Sequence, residues 1–473
     1  MYRTLLCAMA IAVAWSAPLP VRAQDAELAK IRDEIRQMKD AYEKRIEALE
    51  KRLQDTEARA GKAQATASKA EDAANQAAVQ ASSGPAGGNA LNPAISLILN
   101  GTLSNLKKNP DSFRINGFVP TMGEVSPPPR GLSLGESELV LSASVDHLFR
   151  GTLIAAIAPA GGIEVEEAYI QTLGLSRGFT LKAGRFFSGV GYLNEIHAHA
   201  WDFTDAPLAN KVFLGGQLAD DGIQVKWVAP TDLYFDMGGE VGRGRKFPGG
   251  PDGGRSKNGF GSGNLFTHLG GDIGTGAAWR IGVSYLRTSP QDRTFDDVDS
   301  TGTGVTNSFA GRTRLWALDG VLKWSPNGNP AYNNLKLQGE YFRRSESGSL
   351  SYDTQAASLG TQSGSYRSRQ SGWYAQGVYQ FVPQWRVGYR YDRLRAGSTN
   401  IGLVNTGALT AADFPILGAY NPKRNTLMVD WSATEFSRLR LQFARDYSRM
   451  GGPDNQVFLQ YIMNLGAHGA HRF

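Results

Sequence analysis

The sequence predicts an all-β transmembrane barrel of about sixteen antiparallel strands, preceded by an N-terminal α-helical coiled coil. Three observations predict it. Segments of about ten residues alternate apolar with polar or small residues from Phe113 to the C-terminus. The connections between them alternate between short and long. Ahead of them, apolar residues step by three and four over residues 28–81. Period two with two different faces suits a strand between lipid and water. A soluble sandwich has no reason to make every second loop long.

The first 23 residues read as a secretory signal. Arg3 is the basic start, Leu5 to Ala17 the apolar stretch, and Val21-Arg22-Ala23 the small-residue cleavage site. That apolar stretch is too short to span a bilayer. The one cysteine, Cys7, lies inside it, so no disulfide is expected in the mature chain. Removing the signal takes away Arg3 and Arg22, and the formal charge falls from +6 to +4. So small an excess gives no reason to expect nucleic acid as a partner.

Residues 25–81 carry the coiled coil. Leu28, Ile31, Ile35, Met38, Tyr42, Ile46, Leu49 and Leu53 begin the stripe, and regularly spaced alanines continue it to Ala81. A lone helix cannot bury such a stripe, so self-association is expected, and isoleucines at both seam positions lean toward a trimer. The segment is either an oligomerisation stalk or a spacer reaching toward peptidoglycan. Residues 82–112 are a linker containing the short apolar run Asn92–Gly101, and residues 113–473 are the barrel. Its sixteen segments are expected to start with 113–120 and end with 456–465, the last pairing with the first. Trp227, Trp279, Trp324, Trp373, Trp385, Tyr391 and Trp431 suit interfacial girdles.

Strand parity sorts the charges. In the stretch 385–392, Trp385, Val387, Tyr389 and Tyr391 face lipid while Arg386, Arg390 and Asp392 face inward. The same rule places Arg114, Lys182, Lys226, Arg280, Lys323, Lys336, Arg438 and Arg440 inside. Ten inward bases against six inward acids (Asp236, Glu240, Asp319, Glu340, Asp392, Asp430) make a mildly positive lumen, unless the charges pair across strands.

The long connection 189–221 is the third long loop and the richest in chemistry. Folded into the barrel, it would place Glu195, His197, His199, Asp202 and Asp205 at a constriction. In an extended segment Glu195, His197 and His199 share a face, which could ligate zinc. Two histidines without two more fixed ligands do not make a site, however. His468 and His471 form another pair near the chain end. The sequence contains no phosphate-binding loop, no Gly-x-Ser-x-Gly and no His-Glu-x-x-His. No enzymatic activity and no cofactor is therefore expected.

The order of signal, coiled coil, sixteen strands, long third loop and terminal Phe473 resembles the trimeric Gram-negative porins. It is most similar to the phosphate-selective (O/P-type) porins and to coiled-coil-bearing diffusion channels for dicarboxylate-like solutes. The resemblance implies a homotrimer in outer-membrane lipid and passive diffusion of small hydrophilic, anionic solutes. It departs from the phosphate-selective pattern in lacking a ladder of loop arginines and in having an acidic third loop. A metal-linked (zinc) uptake receptor using the His-rich loop, and a structural envelope tether, are the rival readings.

Overall fold

The computed structural model describes residues 93–466, apart from 122–124, 158–161, 252–258 and 327, together with eight residues of an N-terminal helix. Met1–Ala90 and Leu91–Phe473 form two compact units. In the first, Arg36, Lys39, Asp40, Glu43, Lys44, Ile46, Glu47 and Lys51 are helical and exposed, and Lys39 Nζ lies 3.6 Å from Glu43 one turn on. The signal segment, the rest of the coiled coil, the linker up to Asn92, His468, His471 and Phe473 lie outside the described residues.

The second unit contains strands β1 (Ala94–Leu106), β2 (Gly131–Leu134), β3 (Ser137–Ser144), β4 (Phe149–Ile157), β5 (Ile163–Thr172), β6 (Phe179–Phe187), β7 (Ala219–Val228), β8 (Tyr234–Gly242) and β9 (Ser262–Ile273). They are followed by β10 (Ala277–Thr288), β11 (Arg293–Val298), β12 (Gly304–Trp324), β13 (Asn334–Tyr352), β14 (Gln362–Val382), β15 (Trp385–Ile401), β16 (Lys423–Thr434), β17 (Ser437–Asp446) and β18 (Asp454–Gly466). Sixteen of them form a closed antiparallel ring. β2 and β11 are short additions paired to β1 and β12. The ring closes where β1 pairs with β18, from Ser96 opposite Gly466 to Leu106 opposite Gln456. Closure leaves no unpaired edge, which a lipid environment requires.

The first strand is not 113–120. It is Ala94–Leu106, which lies in the stretch expected to be a linker. Ile95, Leu97, Leu99 and Leu103 point outward, and Ser96, Asn100, Thr102 and Ser104 point inward, so the alternation is present but continues past Asn100. Residues 113–120 instead enter the lumen, where Ile115 and Phe118 join a buried apolar cluster. Gly117 turns the chain there at φ +86°, and a Cβ would meet the Tyr420 carbonyl oxygen at 2.7 Å. Arg114 therefore sits on an exposed loop segment and not on a lumen wall.

β12 to β15 run 17 to 21 residues, longer than the alternation indicates. Their extra length continues into sequence that looks like loop because the outer face there carries polar and basic residues, while the inner face packs an apolar cluster of Val305, Phe309, Leu350, Tyr352 and Tyr366. Ladder hydrogen bonding persists where the hydrophobic signal has stopped. Trp316 and Trp324 both point outward on β12. Eight residues separate them, roughly 26 Å along a strand, matching an apolar band about 25 Å tall once strand tilt is allowed for. Trp385 lies beside Trp431 at one level, and Tyr285 beside Trp316 at the other. Leu441, opposite Val429, faces outward within the belt and is 53% exposed. Leu441→Arg is expected to cost about 2–4 kcal/mol of unfolding free energy in lipid, read from urea titration of the reconstituted protein.

Charge is also sorted. On β10 and β12 to β18 every Asp and Glu is buried on the lumen side: Asp319, Glu340, Glu346, Asp392, Asp430, Asp446 and Asp454. The charged side chains on the outer face of these strands are all Arg or Lys.

Candidate constriction loop and lumen vestibule

The loop between β6 and β7, residues 188–218, folds into the barrel. It makes two 3-10 turns, Leu193–Glu195 and Ala198–Ala200, and then a short helix α1 (Leu208–Leu214) whose residues are all buried. Val190, Leu208, Val212 and Phe213 pack against Leu286, Leu315, Phe342 and Leu394 of the wall. The apolar core of this protein thus lies inside the ring, while the outside stays apolar for lipid.

Inward polar residues hold the loop backbone. Glu340 accepts from the Leu193 N–H at 3.1 Å, from Asn210 Nδ2 at 3.1 Å and from the Tyr192 N–H. Gly191 sits beside it at φ +74°, where a Cβ would lie 2.5 Å from Glu340 Oε1. Glu240 accepts from the Gly189 N–H at 2.8 Å, and Asp392 from the Leu208 N–H at 2.8 Å. Arg440 donates to the Trp201 carbonyl at 2.9 Å, and Arg438 donates to that of His199.

The loop acids and the wall bases meet. Asp202 pairs with Lys336 at 2.9 Å and Arg386 at 3.2 Å, and Arg386 also pairs with Asp430 at 2.6 Å. Asp205 pairs with Arg390 at 3.0 Å, with Lys211 at 3.1 Å and with Arg424. Lys226 reaches Asp236 at 2.6 Å, and Arg280 lies 3.7 Å from Asp319. All the expected inward bases except Arg114 face the lumen side. Lys182, Arg390 and Arg440 are nevertheless buried, with 6%, 1% and 1% exposure, and do not line open water. Parity of the strands found their direction. It could not find the loop that covers them.

His197 and His199 do come together, their rings stacked at 5.8 Å between centroids. Glu195 lines the same cavity but is not in the cluster around His197, and 3-10 turns replace the extended segment that parity assumed. Their partners come from the wall. His197 Nδ1 lies 3.2 Å from Glu138 Oε2 and 3.3 Å from Glu166 Oε2, and its Nε2 lies 3.0 Å from Glu167 Oε2. His199 Nδ1 lies 2.8 Å from Glu138 Oε1. Adjacent residues of a strand normally face opposite ways. Here the β4–β5 register skips Glu166, Ile154 pairing with Glu167 and Ala155 with Val165. This bulge turns two consecutive glutamates toward one imidazole. Glu138 and Glu167 were open to strand parity; Glu166 was not.

Between the loop and the short-turn rim lies a cavity of about 1040 Å³, reaching from Tyr192, Glu195 and His197 to Gly274 and Glu435. Five bases and five acids line it.

No protein-family model matches the chain. A protein of Aquifex aeolicus (strain VF5), described as uncharacterized, is 32% identical over 370 residues, covering 73% of this chain and 70% of that protein. Among solved structures, the loop L8 deletion mutant of OmpT, an outer membrane protein of Vibrio cholerae, is similar with a TM-score of 0.48 and 11% identity, over 80% of this chain and 100% of that one. The outer membrane channel DcaP of Acinetobacter baumannii gives 0.45 and 12%, over 79% and 97%. An anion-selective porin from Comamonas acidovorans gives 0.45 and 10%, over 79% and 99%.

Proposed function

The chain belongs to the same family as the uncharacterized Aquifex aeolicus protein, and we propose that it is an outer-membrane channel for passive diffusion of small hydrophilic solutes. One observation carries this reading: a charged cavity of about 1040 Å³ lies inside a closed barrel whose exterior is apolar. The cavity reaches the short-turn rim, and the third loop sets the size cutoff.

The preferred solutes are anionic. Lys323, Lys336, Arg386 and Arg438 line the cavity from β12, β13, β15 and β17. In the ring β12, β13 and β15 lie across from β5, which supplies Glu167. Bases on one side and Glu167 on the other make a transverse field, which Asp202, paired with Lys336 and Arg386, and the lining acids Asp272 and Glu435 weaken, and a solute carboxylate or phosphate follows the basic side. Lys182, on β6 beside Glu167, softens the contrast. The stripe over residues 25–81 supports a trimer held by the coiled coil as well as by the barrels.

Swelling of vesicles carrying the purified protein tests the reading. Small dicarboxylates and small sugars should cause swelling, the dicarboxylates faster at low salt. Vesicles that exclude both would refute it. A chain lacking residues 25–81 is expected to be less than trimeric by light scattering; an unchanged trimer would assign assembly to the barrel alone.

A further inference from the structure

The geometry points to a divalent transition-metal site that fastens the third loop to the barrel wall, with Glu138 Oε2, Glu166 Oε2 and His197 Nδ1 as ligands. Glu138 is buried, with 0% exposure, and its Oε2, Glu166 Oε2 and His197 Nδ1 are buried atoms without a hydrogen-bond partner outside their own trio. Buried polar atoms without partners are costly. Three such atoms lie within 4.8 Å of one another. Glu167 accepts from the Nε2 side of the ring at 3.0 Å, which leaves the Nδ1 lone pair toward the other two carboxylates. Three electron-pair donors then face one another.

The spacing fits an ion. Ligands about 2.0–2.1 Å from a tetrahedral centre stand about 3.3 Å apart, and the two nitrogen–oxygen separations are 3.2 and 3.3 Å. The surroundings fit as well. A metal-bound histidine usually gives its other ring nitrogen to a carboxylate, and a bound carboxylate is itself hydrogen-bonded. Glu167 fills the first role, and His199, 2.8 Å from Glu138 Oε1, fills the second. The mixed nitrogen and oxygen donors suit Zn²⁺ or a neighbouring divalent ion better than Mg²⁺ or Ca²⁺. Glu167, His197 and His199 line the cavity, so an ion reaches the site through it.

The test is Zn²⁺ binding to the purified, tag-free, chelator-stripped full chain, by calorimetry and by metal content after desalting. One ion per chain is expected. Glu166→Gln, which keeps size and shape, should weaken it at least tenfold, and Glu138→Gln with His197→Ala should abolish it. Glu167→Gln should weaken it about 10–100-fold while leaving the stoichiometry. Heat-modifiable migration of each variant shows that the barrel has formed. Absence of binding by wild type would overturn the site and leave an imidazolium among carboxylates. Binding that survives all the variants would place the metal elsewhere.

Arg287, Arg312, Arg314, Arg343, Arg367, Arg369, Arg393, Arg395, Lys423 and Arg445 all point outward from β10 and β12 to β17. On the outer faces they begin one same-face position past the aromatics: Arg287 after Tyr285, Arg343 after Tyr341, Arg393 after Tyr391, and Arg314 ahead of Trp316. Among the described residues none of the ten has an ion-pair partner. Arg287 stands directly opposite Arg314, and Arg393 opposite Lys423. Like charges facing across a ladder are unfavourable. We infer that this band docks the phosphate groups of lipid head groups in the leaflet on the long-loop side.

Native mass spectrometry with added bisphosphorylated glucosamine lipid (lipid A), paired with thermal unfolding, tests it. Wild type should retain this lipid and unfold at a higher temperature with it. The triple variant Arg314→Gln, Arg343→Gln, Arg369→Gln should lose both effects yet stay folded in phosphatidylcholine. Equal retention by the variant, equal retention of the dephosphorylated lipid, or the same temperature rise with inorganic phosphate alone would each overturn the assignment.

Discussion

Asp205→Ala is expected to loosen the third loop and raise single-channel conductance severalfold. The Asp205 carboxylate meets Arg390, Lys211 and Arg424, and its side chain is 17% exposed. After truncation Arg390 keeps Asp392 at 3.1 Å and Arg424 keeps Asp446 at 3.7 Å. Lys211, at 3% exposure, keeps only the Phe113 ring, 5.6 Å from its nitrogen, among its described close partners. Removing one partner of a buried charge group costs about 3–5 kcal/mol. Helix α1 carries Lys211, so the helix is where the loop gives way. The prediction is read as larger conductance steps and a lower unfolding temperature together. A lower unfolding temperature with unchanged steps would remove the loop from control of the opening.

Lys323→Glu is expected to shift ion preference toward cations. Lys323 lies on the basic wall of the vestibule, directly opposite Lys336 in the β12–β13 register. The substitution changes the local charge by two units. At roughly 8 Å in bulk water each unit is worth about 0.5 kcal/mol, so an anion loses and a cation gains about 1 kcal/mol, and the anion-to-cation permeability ratio should fall roughly 30-fold at low ionic strength. Near physiological salt the effect should shrink, because the screening length is then about 8 Å. An unchanged reversal potential would show that Lys323 does not lie along the ion path.

The barrel was legible because two solvents write period two into the chain. Outward Leu439, Leu441 and Phe443 with inward Arg440 and Gln442 could be sorted from residue order alone. β1 was obscured by its place next to a linker, although Ile95, Leu99 and Leu103 follow the same rule. The outer parts of β12 to β15 were obscured for a different reason. Beyond the hydrocarbon core the outer face needs no apolar residues, so Arg343, Arg367 and Arg369 read as loop. The third loop could be recognised as an insert from its length and composition. Its pairings could not. Asp202 finds Lys336 and Arg386 across 134 and 184 residues of chain, and no local pattern encodes such distances. The His197 surroundings depend on a bulge at Glu166, a one-residue change of register that strict alternation hides. Charge sign was the least transferable inference. Counting inward bases gave an excess, and the loop acids then neutralised much of it.

The most direct measurement is the current through the purified full-length protein in a planar bilayer under a KCl gradient. The account predicts a stable channel of low conductance, since packed loops fill part of the lumen, with a reversal potential favouring anions. A bilayer that takes up the protein and stays non-conducting would contradict the channel reading itself.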